Sequence, residues 1–178
     1  MSAIKEAKQV DKNSSITWIH AASEKLHEIE EKIDVITMLT NVSQEITDKS
    51  EWLQTLQDCY DALDENGKLI FDGRNFYEQG WLNWTKGNTI QNITLESGEP
   101  AKHWYQLYDA QDELIRFNTT IESDSKKIVH DSTIIFRTKK ETIHDLKSVG
   151  FKSTEVFGDW KNEVGNDEHK EFLFVATK

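Results

Sequence analysis

A second cysteine, a glycine-rich turn, a surplus of positive charge and any long apolar run are all missing from this sequence of 178 residues. Each absence excludes something. Cys59 stands alone, so no internal disulfide can form, which fits a reducing cytoplasm. Lys and Arg number 21 against 32 Asp and Glu, a formal net charge of −11. Non-specific affinity for nucleic acid comes largely from Lys and Arg, so the expected partner is a small molecule or a protein and not a phosphate backbone. No apolar stretch approaches membrane-spanning length and the amino terminus has no signal-peptide core. No membrane association is expected, and the cytoplasm is the default compartment. The six His (His20, His27, His103, His130, His144 and His169) are scattered, and none pairs with Cys59 at ligand spacing, so no metal site is expected. Ser/His/Asp and Walker signatures are absent too.

What is present is informative from Ile33 to Asn75. A short apolar run (Ile33, Val35, Ile36, Met38, Leu39) ends in polar Thr40 and Asn41. A second run (Leu69, Ile70, Phe71) ends in Asp72-Gly73-Arg74-Asn75. Between them Trp52, Leu53, Leu56, Cys59, Tyr60 and Leu63 recur at helical spacing, with Ser50 as the expected N-cap and Asn66-Gly67 as the expected left-handed stop. Two strands joined by a crossover helix make a βαβ unit whose ligand-facing end is the strands' carboxyl edge.

The length predicts a single domain spanning residues 1–178, with six Trp, eight Phe and four Tyr as bulky core material. Before the βαβ unit, Ser2 to Val10 reads as a helix, Ile16 to Ala21 as a strand, and Ser23 to Glu31 as acidic helix or loop. From Asn88 to Arg137 the period changes to two. Ile115, Phe117, Thr119 and Ile121 alternate with Arg116, Asn118 and Thr120, and Ile128, His130, Ser132, Ile134 and Phe136 form a second set. This predicts an antiparallel insert over about 88–137. A helix over Lys139 to Val149 and two strands, Ser153 to Phe157 and Glu171 to Ala176, complete the chain as a carboxy-terminal antiparallel hairpin.

In this order the segments IDVITMLTNV, LQDCYDALDENGKLIFDGRN, LKSVGFKSTEVFGDW and EFLFVATK resemble the class I S-adenosylmethionine-dependent methyltransferases. The first resembles that family's fourth strand and the loop lying against the cofactor. The second resembles its "L..LKPGG.LIFD.RN" helix, turn and strand. The last two resemble its closing elements. The resemblance implies a Rossmann-like α/β methyltransferase sheet, S-adenosyl-L-methionine as cofactor and methyl transfer to a small molecule. It also implies a sheet that is amino-terminally truncated, because the family's first strand, its GxGxG loop and the ribose-binding acid have no counterpart here. Trp18-Ile19-His20-Ala21-Ala22 occupies the place of the family's adenine-contacting Asp, without an acid. Activity of this chain alone is therefore in question. The alternative is a non-catalytic remnant or partner subunit that associates through its exposed sheet edge, as a homodimer or with another chain.

The resemblance places Met38, Leu39, Thr40 and Asn41 at the cofactor. Thr40 and Asn41 can hydrogen-bond a ligand in the crevice or simply cap a strand. Asp72, Arg74 and Asn75 fall where the family keeps substrate-side residues. Asp72 can orient a nucleophile and Arg74 can bind a carboxylate bidentately, or the group can form a salt bridge or turn. Trp81, Trp84 and Trp104, with His103 and Tyr105, can cage a sulfonium or line a substrate pocket, or form the face on which the insert packs. His130 and Arg116 are weaker candidates for substrate contact or for base catalysis, and Asp159-Trp160 can close the pocket or simply cap the sheet. A third reading makes the chain a small-molecule binding protein that uses the insert rather than the crevice.

Overall fold

The computed structural model describes residues 3–161 and 163–178, so the expected start of the first helix at Ser2 lies outside the described residues. The elements are α1 (Ala3–Val10), β1 (Ile33–Met38), α2 (Lys49–Ala62), β2 (Leu63–Arg74), a single helical turn α3 (Lys86–Thr89), β3 (Gln91–Thr94), β4 (Pro100–Gln111), β5 (Leu114–Ser123), β6 (Lys127–Ile135), α4 (Lys139–Val149), β7 (Ser153–Gly158) and β8 (Glu171–Thr177). They build two four-stranded sheets, ordered β1-β2-β8-β7 and β3-β4-β5-β6. In the first, β1 and β2 are parallel and joined by α2, while β8 inserts antiparallel between β2 and β7. The second is an antiparallel meander whose strands and turns follow the period-two reading.

The main core lies between the first sheet and helices α2 and α4. Trp52, Leu56 and Cys59 come from α2, Leu69 and Phe71 from β2, and Phe174 from β8. Phe71 stacks on Phe174 with ring centroids 5.0 Å apart. Helix α4 is held by a capping box, in which the Thr138 hydroxyl accepts from the Glu141 amide and the Glu141 carboxylate accepts from the Thr138 amide. A second, smaller core of Trp81, Ile115, Ile134 and Phe136 seats the antiparallel sheet.

Three local expectations are corrected. Ile16 to Ala21 is not a strand: Ile16 and Ile19 are 52% and 54% exposed, and among the described residues no neighbouring strand supplies the hydrogen bonds that extended backbone needs. The cap of α2 is Asp48, not Ser50, because its carboxylate reaches the amides of Ser50 at 2.8 Å and Glu51 at 2.9 Å. That helix ends at Ala62, earlier than Asn66-Gly67, since burial of Leu63 draws the chain into β2 opposite Ile33. Asn66 is left-handed as expected, but within β2, where the pairing with β1 shifts register between Leu63 and Lys68. Gly67 is required there by space, as a Cβ would lie 2.9 Å from the Asp64 carbonyl and 3.1 Å from that of Ile33.

Candidate functional site

The parallel pairing of Met38 with Phe71 brings the carboxyl ends of β1 and β2 side by side. After β1 the chain turns through Thr40 and Asn41, both left-handed, at φ 63° and 60°. Such backbone is costly for residues other than glycine and is kept where neighbours hold it. Here Asp72 holds it. Its buried carboxylate accepts the Asn41 amide at 2.9 Å, and its carbonyl accepts the Ser43 hydroxyl at 2.7 Å. The Thr40 hydroxyl turns back to the Leu39 carbonyl at 2.6 Å. The Asn41 side-chain oxygen is buried and has no hydrogen-bond donor. A buried acceptor left unpaired carries a desolvation cost that a ligand N–H would remove.

Arg74 ends β2 beside this turn. Its amide and guanidinium both donate to the Gln44 side-chain oxygen, at 3.3 and 3.0 Å. Gln44 in turn donates to the Ile135 carbonyl at 3.0 Å, so one buried amide ties the first sheet to the antiparallel sheet. The guanidinium lies 5.6 Å from the centre of the Trp84 ring. Arg74, Asn75, Glu78, Trp84, Lys170 and Glu171 line a cavity of about 180 Å³. It offers two cationic and two anionic side chains over an aromatic wall. Asn75 is a scaffold within that wall: its amide nitrogen donates to the Asp167 and His169 carbonyls, each at 2.9 Å, fixing the loop between β7 and β8. Asp159 anchors the same loop by accepting the amides of Lys170 and Glu171 at 2.8 and 3.0 Å. These bonds outweigh partial burial and hold its carboxyl below the usual range.

The aromatic candidates separate. Trp84 packs edge-on to Phe117 at 4.7 Å and lines the cavity. Trp81 is buried against Phe136 at 4.5 Å, in the second core. Trp104 projects from the other face of the antiparallel sheet from its neighbour Tyr105, which packs on Phe117, and lies under the Lys86 ammonium at 3.9 Å. Arg116 pairs with Asp109 across β4 and β5.

Five contributors escaped the sequence reading: Glu78, Lys170 and Glu171 of the cavity, and Gln44 and Arg137 behind it. The Arg137 guanidinium donates to the carbonyls of Ser43 and Ile46 and lies 4.4 Å over the Trp52 ring. Burial lowers its pKa to about 10, against the pull of Asp145, Glu113 and Glu141. It supports the loop that carries Gln44. Among the described residues no group of His, Cys, Asp and Glu has a metal-binding arrangement, and no helix is long and apolar enough to cross a membrane.

No family model matches the chain. It is 24% identical over 176 residues to the glycine/sarcosine/dimethylglycine N-methyltransferase of Actinopolyspora halophila, covering 93% of this chain and 27% of that protein. It is 24% identical over 160 residues to the glycine/sarcosine N-methyltransferase of Aphanothece halophytica, covering 84% and 53% respectively. The chain therefore spans about a quarter and about half of the length of these curated relatives. Among solved structures, an S-adenosylmethionine-dependent methyltransferase of Clostridium acetobutylicum superposes with a TM-score of 0.74 at 13% identity, covering 98% of this chain and 70% of that one. The SAM-bound amino pentose methyltransferase of Micromonospora echinaspora superposes with a TM-score of 0.62 at 14% identity, covering 84% and 59%.

Proposed function

We propose that this chain, whose fold is that of the class I S-adenosylmethionine-dependent methyltransferases, forms the substrate-side half of a site that methylates the nitrogen of a small carboxylate-bearing amine. The observation that carries the reading is the Arg74 guanidinium in a cavity with two carboxylates and an aromatic wall, on the strand whose Asp72 holds the turn carrying the unpaired Asn41 oxygen. The curated relatives carry glycine and sarcosine in their names, molecules that have both groups.

S-adenosylmethionine, when bound, supplies a methyl group on a sulfonium. The segment from Met38 to Thr40 would border it, with Leu39, 41% exposed, as an apolar face. Arg74 takes the substrate carboxylate through its planar fork. The Asn41 side-chain oxygen, on the turn after β1, would accept an N–H of a ligand at that turn. The nitrogen that gains the methyl group would shed one proton, to water or to a cavity carboxylate, Glu78 or Glu171. The chain's contribution is orientation and exclusion of solvent. Asp72 acts through Asn41, by holding its turn. Trp84 walls the pocket. Trp81 and Asn75 support it, and Trp104 borders it only through the sheet. Burial and then Asp58 push the Cys59 thiol up to about 12, so it stays protonated and takes no part in the transfer.

The test is calorimetric titration with S-adenosylmethionine and its demethylated product, followed by methylation assays on glycine, sarcosine and amines lacking a carboxylate. Binding with transfer only to the carboxylate-bearing amines supports the reading. Equal transfer to the amines without a carboxylate overturns the role of Arg74. Absence of binding overturns the assignment of the Met38 to Asn41 segment to the cofactor.

A further inference from the structure

Strand β6 forms an outer edge of the antiparallel sheet, and from Lys127 to Asp131 it is exposed on both faces. Ile128 and Val129 are 44% and 52% exposed. Along Lys127 to Asp131 the outer side of the strand has no neighbouring strand among the described residues and presents a row of free amides and carbonyls. Edges are commonly guarded by charges of one sign, which repel a second copy. This edge carries opposite signs, Lys127 and Asp131, placed symmetrically about Val129.

That symmetry selects a partner. A two-fold axis normal to the sheet preserves its faces, so in an antiparallel pairing of two copies the axis passes beside one residue and its equivalent. With the axis at Val129, the two Val129 side chains meet, each Ile128 meets a His130, and each Lys127 meets an Asp131. Shifting the axis by one residue sets a charged group against Val129, as Lys127 or Asp131. Shifting it by two sets Lys127 against Lys127 or Asp131 against Asp131. Of these five registers one alone matches opposite charges and apolar side chains together. The neighbouring strand extends the same pattern. Lys127 already faces Glu122 at 3.2 Å, Asp131 accepts from the Asn118 amide, and Val129 lies opposite buried Thr120, itself paired with Trp104.

We infer that a second copy of this chain pairs with β6 across a two-fold axis at Val129, joining the two antiparallel sheets into one of eight strands. The pairing is independent of the function proposed above, because none of its residues lines the Arg74 cavity.

The experiment is sedimentation velocity across a concentration series on the full chain and on Lys127→Asp, Asp131→Lys and the double variant, with far-ultraviolet circular dichroism confirming the fold. The unaltered chain is expected to dimerise. Each single variant sets like charges opposite one another twice and is expected to raise the dimer Kd by roughly tenfold or more, with the double variant recovering most of it. Val35→Lys on the free edge of β1 is expected to leave the dimer intact. A monomer at all concentrations overturns the inference, as does a double variant no better than the singles, or a dimer lost in Val35→Lys and kept in the charge variants.

Discussion

The Asp72 carboxylate accepts the Asn41 amide at 2.9 Å across a sequence separation of 31 residues, locking the turn after β1 to the end of β2. Asp72 is only 3% exposed, so the bond closes a buried donor as well as shaping the site. Replacing Asp72 with Ala leaves the Asn41 amide unsatisfied beside a left-handed pair. The expected cost is about 1–3 kcal/mol in urea unfolding, with Asp72→Asn costing less because an acceptor oxygen remains. Loss of ligand binding should exceed the loss of stability, and calorimetry on both variants checks it.

Gln44 gives a second handle on the same region. It is 3% exposed and bridges Arg74 to the Ile135 carbonyl. Gln44→Ala frees the guanidinium from its acceptor and uncouples the antiparallel sheet. For the proposed methylation of a carboxylate-bearing amine, KM is expected to rise by roughly tenfold with a smaller change in kcat, since the loss falls on substrate positioning. A kcat/KM comparison with Arg74→Lys checks the assignment, because that variant keeps the charge but loses the planar fork.

The framework of both sheets was readable from local pattern. Period-two alternation from Leu114 to Ile135 marks strands whose facing residues do pair, and the Lys139 to Val149 helix carries its own stop at Gly150. Position parity along β4 already separates Trp104 from Tyr105, a signal that clustering by sequence proximity overlooks. Ile16 to Ala21 reads as a strand by composition, but pairing is a property of neighbours, and none lies beside it. Gln44 and Arg137 were invisible for the converse reason. Their bonds to Ile135 and Ile46 each span 91 residues, and nothing local distinguishes them from any polar residue in a loop.

Glu113, at the turn between β4 and β5, lies against Glu141 at the start of α4. Partial burial and then this neighbour raise the Glu113 carboxyl above its usual value. A folded-state pKa above the unfolded one gives stability that is complete below the unfolded value near 4.5 and is lost as pH rises through the folded value. Glu113→Gln is therefore expected to stabilise the chain at pH 7, by at most about 0.5 kcal/mol after solvent screening, and to have little effect at about pH 4. Thermal melts at the two pH values check the sign. Glu141 moves the other way, because the Thr138 hydroxyl and amide outweigh its own burial, so Glu141→Gln is expected to destabilise at pH 7.

Asp145, 2% exposed on α4, is the counter-charge of the loop that carries Gln44. Its carboxylate takes the Lys49 ammonium at 2.6 Å and the Trp52 indole N–H at 3.0 Å, while the Arg137 guanidinium lies over the same indole. Removing the carboxylate leaves a buried indole donor without an acceptor and takes one of three nearby carboxylates from the Arg137 guanidinium. Asp145→Ala is expected to cost about 3–5 kcal/mol. Asp145→Asn keeps an acceptor for Trp52 but no charge, and should fall between that variant and the unaltered chain. Lys49 is 58% exposed, so Lys49→Met should cost under about 1 kcal/mol. Urea titrations of the three variants order these terms. Equal losses for Lys49→Met and Asp145→Ala would assign the stability to the surface ion pair rather than to the buried indole and guanidinium.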